Sequence, residues 1–401
     1  MRYAYFQDKY FEIQLWCCIL IIVKLLFKNL YWIIFSVCCK INFSGGNLDC
    51  KLGIQITNKH FCRDVARPIV NIVCSNEDNP DEYQRNIFSR QLEQFITMLK
   101  SLLYFSEGTY RLVLVTDTIN TYHQLVQLMK TMIPGFSSRM TVEHSALWSP
   151  SGVDIMQEWR PCSWSKLFLL ESLPQDLDSA VYLDTDILFL GPAQGLWDII
   201  VNFNGEQMFG MGPDPLYARH KHRAKYAGTV GLSAGLMALN LTRLRALSAP
   251  PGDKNAEEDT TTSGFTRQIM LYRRTHEAYH DQDIANAFLY DHSELLQELS
   301  PQWMFSPSEC LTGVLPCCTD TGITVLHGFD AIFVRGIEWT FQVLYEVFAT
   351  SSIETPSSVL LSHLEANLTR AAKLNLESTC RKVFGLEQVL LKQLTDKVKN
   401  K

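Results

Sequence analysis

The sequence has no excess of basic residues. Its 401 residues include 36 lysines and arginines against 42 aspartates and glutamates, which gives a formal net charge of −6. Because binding to a phosphate backbone requires a basic face, this balance argues against a nucleic-acid partner. The hydrophobic content of 47% and the charged content of 19% are those of an ordinary globular protein. The length allows one large domain or two small ones.

The sequence also lacks the paired-cysteine spacing of a zinc site. It contains no C-x-x-C. Four of the twelve cysteines lie in an apolar N-terminal stretch, and the other eight form an even set. An even set indicates disulfides in an oxidising compartment. Spacing favours a local bridge from Cys310 to Cys317 or Cys318, although sequence leaves the pairing open.

The apolar N-terminal stretch, residues 10–39, is long enough to cross a bilayer as a helix. It contains Lys24 and Lys28, four residues apart on one helical face, which weakens a simple spanning helix. A buried core helix and a removed signal peptide are the alternatives. Because no small-residue cleavage site follows, we expect a retained signal anchor, a cytosolic tail at 1–9 and a stem at 40–67.

Glycosylation acceptors support a lumenal location for the rest of the chain. Asn42, Asn240 and Asn367 each begin an N-x-S/T triplet, which has meaning only in a secretory lumen. We therefore expect a single-pass type II protein of the endoplasmic reticulum or Golgi membrane, with its catalytic domain in the lumen.

From Pro68 onward, short apolar runs alternate with segments of helical periodicity. This alternation predicts an α/β domain with a parallel sheet wrapped by helices. We place that domain at 68–345 and a helical C-terminal extension at 346–401. Predicted strands cover 69–75, 111–117, 180–190 and 323–328.

Asp184 and Asp186 form a D-x-D triplet after the apolar run Ala180–Leu183. The carboxyl end of a strand is where α/β sheets place their ligands, and two hard oxygen donors suit Mg²⁺ or Mn²⁺ carrying phosphate oxygens. Such triplets are also common as two solvated carboxylates in a turn. The apolar residues on both sides favour the cation, because buried carboxylates require a partner for their charge.

Two further motifs are candidates for the same site. His327 and Gly328 end another predicted strand, where the imidazole can complete a cation's ligand shell and the glycine lets the backbone approach a phosphate. A histidine satisfied by its own fold is the alternative. Asp281, Gln282 and Asp283 precede a helical run, where the carboxylates act either as helix caps or as donor-sugar ligands.

These motifs, in this order, resemble the family 8 retaining glycosyltransferases of the Rossmann-like GT-A fold, and among them the glucoside xylosyltransferases. The similarity extends from about Pro68 to the C-terminus. It rests on ITMLKSLLYFS, RPCSWSKLFL, VYLDTDILFL, ALNLTRLR, DQD, QW, LHG and the tail segments STCRKVF and LLKQL.

The resemblance implies a reaction and a role for each matching residue. Xylose would pass from UDP-xylose, with retention and in an alpha-1,3 linkage, to O-linked glucose on EGF-like repeats. Mn²⁺, or Mg²⁺, would be held by Asp184, Asp186 and His327. Asp281 and Gln282 would be catalytic. The implied donor-binding residues are Lys166, Gly328 and Arg335, and the implied substrate-binding residues are Ser233, Gly235, Asp283, Gln302 and Trp303.

The sequence departs from the family pattern at three places. Ser233-Ala234-Gly235 replaces Asn-Ser-Gly, Met304 replaces an Asn, and Arg335 stands two positions from the usual lysine. These changes lie at the acceptor and diphosphate ends, and they motivate two alternatives. One is another retaining UDP-sugar hexosyl- or pentosyltransferase of the family. The other is a catalytically weakened, lectin-like descendant.

Overall fold

The structure is a computed structural model. It describes residues 16–22, 34–40, 42–44, 47–49, 66–75, 82–151, 161–219, 225–253, 262–276, 278, 280–313, 322–336, 338–374, 378–380 and 386–399. The chain divides into two compact units, Met1–Phe61 and Cys62–Lys401.

The described part of the first unit consists of strands. β1 (Trp16–Ile22) pairs antiparallel with β2 (Ile34–Lys40), and β3 (Asn42–Ser44) pairs antiparallel with β4 (Asn47–Asp49). The predicted membrane helix over 10–39 is therefore wrong in these segments; residues 10–15 and 23–33 of it lie outside the described residues. Its isoleucine, valine and aromatic residues are also the strongest strand formers, so hydrophobicity alone did not distinguish the two conformations. None of the described helices combines the length and apolar character needed to span a bilayer.

The described residues of the second unit form nine strands. Their bounds are β5 (Arg67–Val73), β6 (Tyr110–Thr116), β7 (Met140–Ala146), β8 (Ser179–Leu183), β9 (Ile187–Phe189), β10 (Phe209–Pro213), β11 (Leu232–Asn240), β12 (Leu296–Glu298) and β13 (Val325–His327).

Seven of these strands form one mixed sheet in the order β12-β10-β11-β8-β5-β6-β7. β8, β5, β6 and β7 run parallel, whereas β11 is antiparallel to both β8 and β10. The parallel part has the strand order of half a Rossmann fold, and its order reverses between β5 and β8. In such sheets ligands bind beyond the carboxyl ends of the strands at that reversal. The predicted α/β sheet is confirmed.

Thirteen helices are described. They are α1 (Glu82–Phe105), α2 (Ile119–Met132), α3 (Pro161–Ser165), α4 (Leu169–Ser172), α5 (Gln194–Val201), α6 (Leu241–Arg245), α7 (Gly264–Thr275), α8 (Asp281–Asp291), α9 (Pro307–Thr312), α10 (Ile332–Arg335), α11 (Trp339–Thr350), α12 (Ser357–Lys373) and α13 (Leu386–Lys399). A 3-10 turn, Lys166–Phe168, separates α3 from α4.

The sheet separates two hydrophobic layers because neighbouring residues along each strand face opposite sides. In β8, Val181 and Leu183 belong to one layer, and Ala180 and Tyr182 to the other. α1 packs on the first layer, and α7 and α8 pack on the second. Leu364 of α12 and Leu390 of α13 also lie in the first layer, so the helices of the predicted C-terminal extension share the core of the catalytic domain.

The strand predicted over 180–190 is two strands. β8 ends at Leu183 and β9 begins at Ile187, with the D-x-D triplet in the turn between them. Two carboxylates are poorly suited to a continuous buried strand, because their charges require neighbours that a β-ladder does not provide. The break also allows β9 to leave the large sheet and pair antiparallel with β13.

Two disulfides join distant parts of the second unit. Cys74, after β5, bonds to Cys162 in α3, and Cys310 in α9 bonds to Cys380. The local bridge expected from Cys310 to Cys317 or Cys318 is wrong, because α9 packs beside the C-terminal segment that carries Cys380. Proximity in sequence did not indicate proximity in the fold.

Glu309, beside the second disulfide, is a fully buried carboxyl group. Its Oε2 accepts hydrogen bonds from Ser306 N at 2.7 Å and Ser306 Oγ at 2.8 Å, closing a capping box at the start of α9. Burial raises the pKa of Glu309 to about 8, and nearby Asp214 contributes in the same direction. Glu309 is therefore largely protonated in the folded protein at neutral pH.

We predict that Glu309→Gln makes folding stability less dependent on pH. Between the ordinary glutamate pKa of about 4.5 and the folded value of about 8, only the folded state retains the Glu309 proton. Stability of the natural chain should thus fall as pH rises through this window, by at most about 1.4 kcal/mol per pH unit. Urea unfolding of natural and variant chains at pH 5, 6, 7 and 8 measures the slope, with exposed Glu354→Gln as the control. Equal slopes for the natural chain and Glu309→Gln would contradict this assignment.

Candidate functional site

Asp184 and Asp186 lie beyond the carboxyl end of the central strand β8. Asp184 N donates a hydrogen bond to Gly235 O of the neighbouring strand β11 at 2.8 Å. Gly328 N donates to Asp186 O, also at 2.8 Å. Backbone bonds from two different strands therefore fix both ends of the D-x-D turn.

His327 reaches this turn because β13 pairs with β9. The pairing places His327 opposite Ile187, the residue after Asp186. His327 Nε2 lies 3.4 Å from Asp186 Oδ1 and 4.0 Å from Asp184 Oδ2. The structure thus brings together the three residues predicted as metal ligands, although His327 lies more than 140 positions from the two aspartates in sequence.

The three side chains form a credible cation site. One ligand atom from each of Asp184, Asp186 and His327 lies within 4.8 Å of the others. Asp186 Oδ1 is buried, and its one close positive neighbour among the described residues is His327 Nε2 at 3.4 Å, so its negative charge is compensated only in part. Two carboxylates and an imidazole suit Mn²⁺ or Mg²⁺ that also carries phosphate oxygens. The donor set therefore fits a divalent cation.

Burial and the neighbouring charges shift the pKa values of the three side chains in the cluster. Burial raises the pKa of Asp184, against the influence of Lys166. Burial would also raise the pKa of Asp186, but His327 lowers it. Conversely, burial disfavours the imidazolium while Asp186 raises the pKa of His327. These directions describe a negative pocket that holds nearby positive charge strongly.

Lys166 lies between the cation site and the start of α8. Its Nζ is 2.8 Å from Asp184 Oδ2 and 3.7 Å from Asp281 Oδ2. Burial alone would lower the pKa of Lys166, but Asp184 and Asp281 raise it well above its ordinary value. Ser163 Oγ donates to Asp281 Oδ1 at 2.5 Å. Lys166 and Asp281, both predicted from sequence, are therefore adjacent to the D-x-D pair.

Gln282 and Asp283 differ in their surroundings. Gln282 Nε2 donates to Asp214 Oδ2 at 2.9 Å, and its Oε1 accepts from Ala234 N at 3.3 Å, so its amide connects α8 to β11. Asp283 accepts from Tyr217 OH and from His280 N, both at 3.0 Å, and completes a capping box. For Asp283 the helix-cap alternative describes the observed contacts. The sugar-binding roles of both residues remain predictions.

Ser233 and Gly235 face His327. Ser233 Oγ lies 3.4 Å from His327 Nδ1, the nitrogen on the far side of the ring from the cation site. A Cβ on Gly235 would come within 2.6 Å of His327 Cε1 and Nε2, so only glycine leaves room for the ring. Both residues thus position the imidazole, and contacts to a sugar remain a prediction for them.

No hydrogen bond within the described part of the chain joins the other predicted residues to the ligand side chains of this cluster. Trp303 is buried and packs against Gly195 of α5, and Gln302 O accepts from Thr324 N at 2.8 Å. Gly328 makes space for the ring of Phe333. Arg335 is exposed at the end of α10. Roles in donor or substrate binding remain predictions for these four residues.

Two side chains in the site were missed by the sequence reasoning. Tyr182 OH donates to Asp184 Oδ1, and Ser163 Oγ orients Asp281. Strand alternation carries a signal for Tyr182, because residues two apart in an extended chain face the same side. The sequence carries no such signal for Ser163, because its partner Asp281 is 118 positions away and the contact depends on how α3 packs.

Comparison with known proteins gives the relatives of this chain. No family model matches it. It is 27% identical over 332 residues to glucoside xylosyltransferase 1 of Rattus norvegicus, covering 78% of this chain and 71% of that protein. It is 29% identical over 277 residues to glucoside xylosyltransferase 2 of Mus musculus, covering 64% and 59%. The crystal structure of mouse xyloside xylosyltransferase 1 aligns over 67% of this chain and 99% of that one, at 16% identity and a TM-score of 0.45.

The mixed sheet and the strand-end acidic cluster thus occur in a chain whose sequence relatives are glucoside xylosyltransferases, and this similarity supports a glycosyltransferase. Among such enzymes, the resemblance to the glucoside xylosyltransferases inferred from the motifs is confirmed by the similarity over most of the chain.

We predict that Gly235→Ala weakens Mn²⁺ binding about tenfold or more, because the added methyl group displaces the His327 ring. The dissociation constant from isothermal titration calorimetry measures this effect. Gly205→Ala is the matched control, since a Cβ there meets nothing within 4 Å. An unchanged Mn²⁺ affinity in a folded Gly235→Ala protein would contradict the placement of His327 in the site.

Proposed function

We propose that this chain transfers xylose from UDP-xylose, with retention and in an alpha-1,3 linkage, to O-linked glucose on EGF-like repeats. The observation that carries the proposal is the Asp184, Asp186 and His327 cluster, beside Lys166 and Asp281, in a chain whose relatives are named glucoside xylosyltransferases. We infer the donor and the acceptor from the names of those relatives. The cluster provides a binding site for the cation that neutralises the diphosphate.

At the donor end, the chain's own residues bind the diphosphate and its cation. Asp184, Asp186 and His327 would hold Mn²⁺, with Mg²⁺ as the alternative, and the cation would neutralise charge that develops on the departing diphosphate. Lys166 supplies a further buried positive charge at the same edge. Gly328 and Arg335 are the remaining candidates for contacts with the diphosphate.

At the acceptor end, Asp281 and Gln282 would stabilise the positive charge that develops on the sugar. The bond from the anomeric carbon to the diphosphate oxygen breaks, and the acceptor hydroxyl oxygen bonds to that carbon from the same face. The acceptor proton passes to the departing phosphate oxygen, so no protein nucleophile is required. Ser233, Gly235, Asp283, Gln302 and Trp303 are the candidates for substrate contacts.

We also propose that the catalytic domain works in the lumen of the endoplasmic reticulum or Golgi. Two disulfides between distant segments, Cys74–Cys162 and Cys310–Cys380, are typical of an oxidising compartment. The sequons differ in accessibility. Asn367 is exposed on α12, whereas the Asn240 side chain caps α6 by accepting from Arg243 N at 3.0 Å.

We expect an N-glycan at Asn367. Digestion of the secretory-pathway protein with peptide N-glycosidase should increase its gel mobility, and Asn367→Gln should remove the contribution of one glycan. Asn375→Gln, which lies outside any sequon, is the control. A chain that carries no glycan and is digested by protease added outside sealed microsomes would refute the lumenal location.

We predict that a screen of UDP-sugars gives Mn²⁺-dependent transfer from UDP-xylose to a glucosylated EGF-like repeat. Asp184→Asn should reduce the rate about a hundredfold or more, because one cation ligand loses its charge. Asp198→Asn, an exposed carboxylate of α5, is the matched control. Transfer from a different UDP-sugar would favour the alternative specificity within the family. Sugar binding without any transfer would favour the lectin-like descendant.

A further inference from the structure

Lys166 is a buried cation with several anionic neighbours. Its side chain is only 10% exposed, and the carboxylates of Asp184, Asp281 and Asp186 all act on it. The ring of Tyr182 lies beneath the ammonium, 5.5 Å from Nζ. The imidazole of His327 lies beside the same two aspartates, with Nε2 4.0 Å from Asp184 Oδ2 and 3.4 Å from Asp186 Oδ1. The ammonium of Lys166 can therefore form an ion pair with either Asp184 or Asp281.

Both carboxylate oxygens of Asp184 are already in use. Tyr182 OH donates to Oδ1, and Lys166 Nζ lies 2.8 Å from Oδ2. Oδ2 is also the oxygen of Asp184 that faces His327 Nε2, at 4.0 Å. A divalent cation shared by Asp184 and His327 must therefore approach the same oxygen that now holds the ammonium. Two positive charges at one buried oxygen repel each other.

Asp281 offers Lys166 another partner close by. Its Oδ2 lies 3.7 Å from Lys166 Nζ, within ion-pair range but too far for a hydrogen bond. Ser163 Oγ donates to Oδ1, which leaves Oδ2 turned toward the ammonium. Asp281 is buried and is the first residue of α8. A small movement of the flexible lysine side chain would exchange one carboxylate for the other.

We propose that Lys166 occupies the place of the cation in the metal-free protein and transfers its ion pair from Asp184 to Asp281 when a divalent cation binds. This inference rests on the proposed cation site. Lys166 is a positioning residue in this role, because it couples the cation to the start of α8. Binding of the cation would thereby fix the Asp281 carboxylate, which we assign to the donor sugar.

A double-mutant cycle on Mn²⁺ affinity tests the exchange, with calorimetry on the full-length protein and no sugar nucleotide present. Asp281→Asn should weaken Mn²⁺ binding about fivefold to tenfold, because the displaced ammonium loses its second partner. Lys166→Met should tighten binding, because no competing cation remains on Asp184. In the Lys166→Met background, Asp281→Asn should have no effect on affinity.

The cycle separates the inference from simpler explanations. Asp291→Asn is the control, since this carboxylate lies at the other end of α8, 2.9 Å from Lys225 Nζ. An equal loss of affinity from Asp281→Asn with and without Lys166 would indicate direct attraction across space and would overturn the exchange. No loss in either background would overturn it as well. A natural chain that binds no Mn²⁺ would refute the cation site itself, and with it the proposed function.

Discussion

Two carboxylates at the end of a buried strand require positive charge within a few ångströms. Asp184 and Asp186 are held at the edge of a hydrophobic sheet, where an isolated charge is costly. The fold brings His327 and Lys166 to them from two other parts of the chain. Those two residues compensate the negative charge only in part, because Asp186 Oδ1 is buried and its contact with His327 Nε2, at 3.4 Å, is long for a hydrogen bond. A divalent cation bound there would neutralise the remaining negative charge.

The arrangement depends on the break in the central strand. Because β8 stops at Leu183, β9 can turn away and pair with β13, which delivers His327. Gly235 on the neighbouring strand leaves space for the imidazole, and Ser233 contacts its far nitrogen. Thus the change of Asn to Ser at position 233, which from sequence looked like a loss at the acceptor end, lies next to a predicted cation ligand.

The Lys166 side of the site is held by a covalent constraint. The Cys74–Cys162 disulfide ties α3 to the carboxyl end of β5, and α3 leads directly into the turn that carries Lys166. Ser163 of the same helix contacts Asp281. One short segment therefore bridges the switch point of the sheet, the acidic pair and the start of α8, which are the parts that a sugar nucleotide would span.

Much of this could be predicted from local sequence, and the rest depends on packing. Alternating apolar runs predicted the sheet, and the carboxylates after Leu183 predicted the acidic pair. Both signals are contained in a few adjacent residues. The N-terminal stretch was misjudged because a run of apolar β-branched and aromatic residues fits a helix in a bilayer and a strand equally well. The Cys310–Cys380 bond and the Ser163–Asp281 contact join residues 70 and 118 positions apart, and no local pattern encodes them.

The central claim is that Asp184, Asp186 and His327 bind one divalent cation. Anomalous diffraction from crystals grown with MnCl₂ and UDP tests it most directly, since Mn²⁺ is located without assumptions about activity. The account predicts a single strong peak about 2.2 Å from an oxygen of each aspartate and from His327 Nε2. A peak bound by other side chains, or no peak in the site while UDP is present there, would contradict it.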